Sequence, residues 1–185
     1  MPGWLWMLIV VAVLVVLALA VWAFMARRRR EHLRGRFGPE YERAVEEHGG
    51  SRGAEAELAR REAKHERLDI IPLAPESRER YLESWRDLQI RFVDEPAQAV
   101  TDADRVVTEV MRERGYPMDE FEQRAADLSV DHPGVVEHYR AAHSIHTANE
   151  QGQATTEDLR QAVVHYRALF SDLLETRDNT AQEVT

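Results

Sequence analysis

Two short strings hold the residues of this chain best suited to chemistry. They are HYRAAHS at 138–144 and HYRALFS at 165–171, identical at five of seven positions and offset by 27 residues. Each sets an imidazole, which titrates near neutral pH and ligates metals, beside a phenol and a guanidinium. Five of the eight histidines fall in this stretch: His132, His138, His143, His146 and His165. His143 and His146 are three apart, and Glu150 follows four residues later. On a helix that spacing lines one face, so His-x-x-His-x-x-x-Glu is a three-ligand set for zinc or iron. The plainer reading is a polar helix face near a C-terminus, where a protonated ring pairs with the helix dipole. The residues favour no metal over that reading; His143, His146 and Glu150 are the candidates should one bind.

The elements that must position these residues are two helices joined near residue 153. A short connection makes neighbouring helices antiparallel. Tyr139 lies 14 residues before that point and Tyr166 lies 13 after it. The two HYR segments should therefore meet at one height, with both tyrosines inward and His and Arg at the edges. Symmetric packing is the expected meaning of the repeat, and a shared ligand site the alternative. Buried tyrosines also need partners for their hydroxyls.

Other chemistries lack their parts. The chain has no cysteine, which removes disulfides, thiolate zinc sites and cysteine nucleophiles. A di-iron carboxylate site needs two Glu-x-x-His motifs, and only Glu62 to His65 is present. Asp131-His132 suggests a dyad, but no serine sits in a nucleophile elbow, and Asp131 is placed to cap a helix. There is no Walker A, Gly-x-Gly-x-x-Gly or EF-hand loop. No catalytic residue, enzyme activity or cofactor is expected.

The net charge of −9 is unevenly spread. Residues 27–67 hold 12 Arg and Lys against 9 Asp and Glu, and residues 68–185 hold 12 against 24. An acidic domain repels a phosphate backbone, so nucleic acid is not an expected partner.

Trp4 to Ala26, WLWMLIVVAVLVVLALAVWAFMA, is 23 residues without a charge. As a helix it spans about 34 Å, against about 30 Å for a bilayer core. Trp4, Trp6 and Trp22 lie near its ends, where indole rings favour the headgroup level. Arg27, Arg28, Arg29 and Arg30 follow, with Arg34 and Arg36 beyond. These arginines mark the cytoplasmic side and sit where an anionic leaflet attracts them. A cleaved signal peptide is the competing reading, with Ala18-Leu19-Ala20 as its cut. Against it, the apolar run continues past Ala20 and no Arg or Lys precedes it. The expectation is an uncleaved single-pass anchor in the plasma membrane, N-terminus outside and C-terminal domain cytoplasmic. The segment has no Gly-x-x-x-Gly, so it offers no motif for self-association.

The rest reads as helix throughout. Residues 1–26 form the anchor, 27–68 a basic juxtamembrane segment and charged helical stalk, 69–176 a bundle of about five helices, and 177–185 a disordered tail. Gly35 and Gly38-Pro39 should break the anchor helix. Two Glu- and Arg-rich helices follow, at 39–48 and 51–68, with faces thin enough for a solvated stalk or a coiled-coil partner. Ile70-Ile71-Pro72-Leu73 should pack on the next domain. Further helices are expected at about 75–93, 96–114 and 118–128, then from Pro133 with Asp131 as cap, and last from Thr155 with Asp158 in a capping box. Gly115 is the expected C′ residue of the second of these. Trp85 and Phe92 with Ile70, Ile71 and Leu73 should be core, or in part a groove for another protein.

The strings RGRFGPEYERAVEEHG, MRERGYPMDEFEQRAADLSVDHP and HYRALF resemble a family of actinobacterial single-pass membrane-anchored helical proteins of unassigned activity. The resemblance covers 35–174. It implies a bacterial plasma-membrane setting and carries over no functional residue. The function expected from all this is a membrane-tethered, non-enzymatic scaffold or adaptor. Its partners would be the bilayer and another protein or a second copy. The alternative is a metal- or small-ligand sensor built on the His-rich hairpin, 131–176.

Overall fold

The structure, a computed structural model, describes residues 3–175, and of residues 3, 5, 6, 8 and 9 the main chain only. Among the described residues there are eight helices and no strand. They are α1 (Gly3–Phe37), α2 (Pro39–Glu47), α3 (Ser51–His65), α4 (Pro75–Arg91), α5 (Pro96–Glu113), α6 (Phe121–Asp131), α7 (Val136–Glu150) and α8 (Thr156–Glu175). The chain divides into two compact units, Met1–Ala59 and Arg60–Thr185. The tail expected at 177–185 lies outside the described residues.

In the first unit α1 runs unbroken from the apolar segment through the arginines and past Gly35. A helical glycine costs about 1 kcal/mol relative to alanine. Burial of Leu33 and Phe37 on either side of Gly35 offsets that. The helix ends instead at Gly38, whose φ of 50° no ordinary residue adopts comfortably, and Pro39 opens α2. Among the described residues, Val10–Phe37 is the one helical stretch long and apolar enough to cross a membrane, with a mean hydropathy of 2.5 over an 18-residue window within it. Every described side chain from Trp4 to His32 is exposed.

The stretch expected to be a solvated stalk has a small core of its own. Leu33, Phe37, Tyr41, Ala44, Ala54 and Leu58 are all buried. The thin apolar faces of α2 and α3 are complemented by two residues from the tail of α1. Glu55 ties the three helices together: it accepts from Arg30 Nε at 2.8 Å and from Tyr41 Oη at 3.3 Å. The Arg34 guanidinium lies over the Tyr41 ring at 4.9 Å and donates to Glu42 at 3.2 Å.

In the second unit α4 packs on α5, α5 on α7 and α8, α6 on α7, and α7 on α8. Trp85 stacks on Phe170 at 4.6 Å between ring centroids, and Val100, Val107, Val110, Leu128 and Leu169 fill the core around them. Ile70 joins this core, with Leu73 and Phe92 packed at its edge, while Ile71 points outward. Gly115 closes α5: its φ is 94°, its N–H donates to the Arg112 carbonyl, and the Tyr116 N–H donates to the Met111 carbonyl. This is a Schellman ending. The linker lies against it, with the Ile71 N–H donating to the Arg114 carbonyl at 2.9 Å. The capping box of α8 forms as expected: the Asp158 N–H donates to Thr155 Oγ1 at 3.2 Å, and the Thr155 N–H to Asp158 Oδ2 at 2.9 Å.

Two boundaries differ from the sequence reading. The helix expected at 118–128 starts at Phe121 and runs on to Asp131, because Ser129 and Val130 are buried beyond Leu128. The next helix starts at Val136, not Pro133, and has no side-chain cap. Asp131 is the last residue of α6, and its carboxylate is engaged elsewhere.

Candidate functional site

The HYR repeat meets as the hairpin geometry requires. His138 Nδ1 and His165 Nδ1 are 2.8 Å apart, with ring centroids at 5.1 Å. One nitrogen carries the hydrogen and the other the lone pair. Burial, and then the neighbouring His138, hold His165 below the ordinary imidazole pKa. Tyr139 and Tyr166 are both fully buried. Their hydroxyls fare differently. Tyr166 Oη donates to Asp104 Oδ1 of α5 at 2.8 Å, whereas Tyr139 Oη is buried without a hydrogen-bond partner. Burial pushes the Tyr139 phenol up to about 12 and that of Tyr166 further still.

One turn on, His143 stacks flat on Phe121 of α6, centroids 3.6 Å apart and planes 8° apart, and Phe121 also rests on Tyr139 at 4.9 Å. Burial is the main cause of a lowered His143 pKa. His146 is buried as well, not on a solvated face as the sequence suggested, while Glu150 is exposed. His146 Nε2 lies 3.7 Å from Glu150 Oε1, and the His143 and His146 centroids are 6.1 Å apart. Among the described residues no group of three or more His, Asp or Glu side chains is placed to share a metal ion. The His143 ring is given over to packing on Phe121.

A second polar group lies where α3, α5, α6 and α8 end. Asp131 Oδ2 accepts from His65 Nε2 at 2.7 Å and from Tyr116 Oη at 3.0 Å. Burial raises its pKa, but these hydrogen bonds outweigh it and the carboxyl titrates below its ordinary value. Next door, His132 is paired through Nδ1 with Asp172, and its Nε2 faces Arg114 Nη1 at 3.3 Å. A guanidinium only donates, so His132 Nε2 must be the acceptor and Nδ1 must carry the hydrogen. In that arrangement both His132 ring nitrogens are engaged. Arg114 is almost fully buried and also donates to the Leu173 carbonyl at 2.9 Å, capping the negative end of α8. Lys64 Nζ pairs with the buried Asp127 at 2.8 Å.

The adjacent Asp131 and His132 therefore form no dyad with each other. Their partners, His65 and Asp172, are 66 and 40 residues away. No local spacing in the sequence signals those pairings.

Of the residues expected at a membrane interface, Trp4 and Trp22 are exposed, and the Trp6 side chain lies outside the described residues. Arg27 pairs with Glu31 at 3.6 Å, Arg28 covers the Phe24 ring at 4.8 Å, Arg29 is exposed and Arg30 is held by Glu55. No protein-family model, curated protein or solved structure matches the chain.

Proposed function

We propose that the chain is a membrane-tethered, non-enzymatic scaffold whose acidic helical domain holds a partner protein beside the bilayer. The observation that carries this is the unbroken course of α1. An apolar segment whose described side chains are all exposed continues without a hinge into buried Leu33 and Phe37, so a bilayer anchor and a folded protein core share one helix. The four arginines after the apolar run support an outside N-terminus and a cytoplasmic domain, in a bacterial plasma membrane as the family resemblance implies. Helices α4–α8 then form a bundle of about five helices displaying an acidic surface. The polar clusters support a structural role: their histidines are packed, paired or capped. Tethering raises the local concentration of whatever the domain binds.

The test compares the full chain with one lacking residues 1–26 in cells. The full chain should stay in carbonate-washed membranes, resist protease added to intact spheroplasts, and crosslink to the same partner protein in repeated preparations. The shortened chain should be soluble and lose that adduct. Digestion of the intact-cell sample would overturn the orientation, and an adduct pattern indifferent to residues 1–26 would overturn the tether.

A further inference from the structure

The HYR repeat brings two imidazoles together in a way that packing alone does not need. His138 and His165 sit on adjacent helices, each half-buried, with Nδ1 atoms 2.8 Å apart. Neither shows another hydrogen bond or ion pair among the described residues. Two nitrogens bound to one ion at about 2.0–2.1 Å stand about 2.9 Å apart at a right angle and about 3.4 Å apart at the tetrahedral angle. The observed separation lies close to the first value; the rings now meet head to head, with centroids 5.1 Å apart, and a turn of each about its Nδ1 by about 45° would aim both lone pairs at one ion.

We propose that His138 and His165 form a two-histidine site for a divalent transition-metal ion, copper(II) before nickel or zinc, that clips α7 to α8. A nitrogen separation this short suits ions that favour square-planar or tetragonal nitrogen coordination over tetrahedral ones, and copper(II) also heads the affinity order for imidazole ligands. Metal binding requires neutral rings, and the partial burial of His165 favours its neutral form. The half-exposed edge of the hairpin leaves the other coordination positions to water. The site is distinct from His143, His146 and Glu150: it uses one ligand from each copy of the repeat.

The test uses the untagged full chain in detergent at pH 7.5, titrated with copper(II) in the presence of glycine to suppress loose binding. One ion per chain should bind, raise the thermal midpoint, and give an electron paramagnetic resonance spectrum split by two imidazole nitrogens. That splitting should change when histidine is labelled with nitrogen-15. His138→Gln and His165→Gln should each abolish the signal and the midpoint rise, and His143→Gln should keep both. A wild-type spectrum without two imidazoles, or a tight site that survives in both variants, overturns the proposal. A wild-type spectrum without two imidazoles overturns it even if a variant fails to fold. Because it is read on the isolated protein, failure here leaves the tether untouched.

Discussion

Replacing each repeat tyrosine by phenylalanine removes the same oxygen from two corresponding places, and the outcomes should have opposite sign. Tyr166 Oη donates to Asp104 at 2.8 Å inside the domain. A hydrogen bond to a charged partner contributes about 1.5–3 kcal/mol net, so Tyr166→Phe should destabilise by about 2 kcal/mol. Tyr139 Oη is equally buried and has no partner. Burying an unpartnered hydroxyl costs about 1–3 kcal/mol, so Tyr139→Phe should stabilise by about 1 kcal/mol. The ring contacts with Phe121 and the core volume hardly change in either variant. The gap of about 3 kcal/mol corresponds to roughly 10–15 °C in midpoint for a domain of this size. Thermal and urea unfolding of the full chain in detergent, followed by Trp85 fluorescence, reads the right core, because Trp85 stacks on Phe170. The other three tryptophans belong to α1 and supply a background common to all variants. Equal destabilisation by both substitutions would refute the asymmetry and show that Tyr139 is as well bonded as Tyr166.

Gly115→Ala should lower the midpoint of the second unit by several degrees. The φ of 94° disfavours a side chain by about 1–2 kcal/mol, and a Cβ there would lie 2.3 Å from the Asp69 carbonyl oxygen. Acid should weaken the fold: His143 and His165 titrate below the unfolded value of 6.5, so the unfolded chain takes up their protons first. Stability is then full above that value and falls, by at most about 1.4 kcal/mol per pH unit per group, as pH drops from there through the folded pKa values, which midpoints at pH 7.5 and 5.5 would show. Phe37→Ala should cost the first unit about 3–5 kcal/mol, and hydrogen exchange should register it in α2 and α3.

What the sequence made legible was local. Pro39, Pro75 and Pro96 each open a helix, and Thr155 with Asp158 opens the last. The meeting of the HYR segments followed from counting residues to the turn. What stayed hidden depended on distant partners. Residues 39–65 read as a stalk because Leu33 and Phe37, which complete their core, looked like the trailing end of an anchor. Asp131 read as a cap because nothing near it in sequence announced His65. His143 and His146 read as part of a polar helix face because the ring that covers His143, Phe121, lies on another helix.

The hidden contacts share a character that bears on what the domain is for. His65 with Asp131, Lys64 with Asp127, Tyr166 with Asp104, and Arg114 with Leu173 each join segments 59 to 66 residues apart. The apolar core between them is mostly Val, Leu and Ala, and small aliphatic side chains pack almost equally well after a one-turn slip of one helix along another. A slip would strand a buried guanidinium or carboxylate, which costs far more than any repacking gains. These polar pairs therefore set register. A domain whose helices are held in register this way presents one fixed outer surface, as a scaffold requires and as a single ion between His138 and His165 would reinforce.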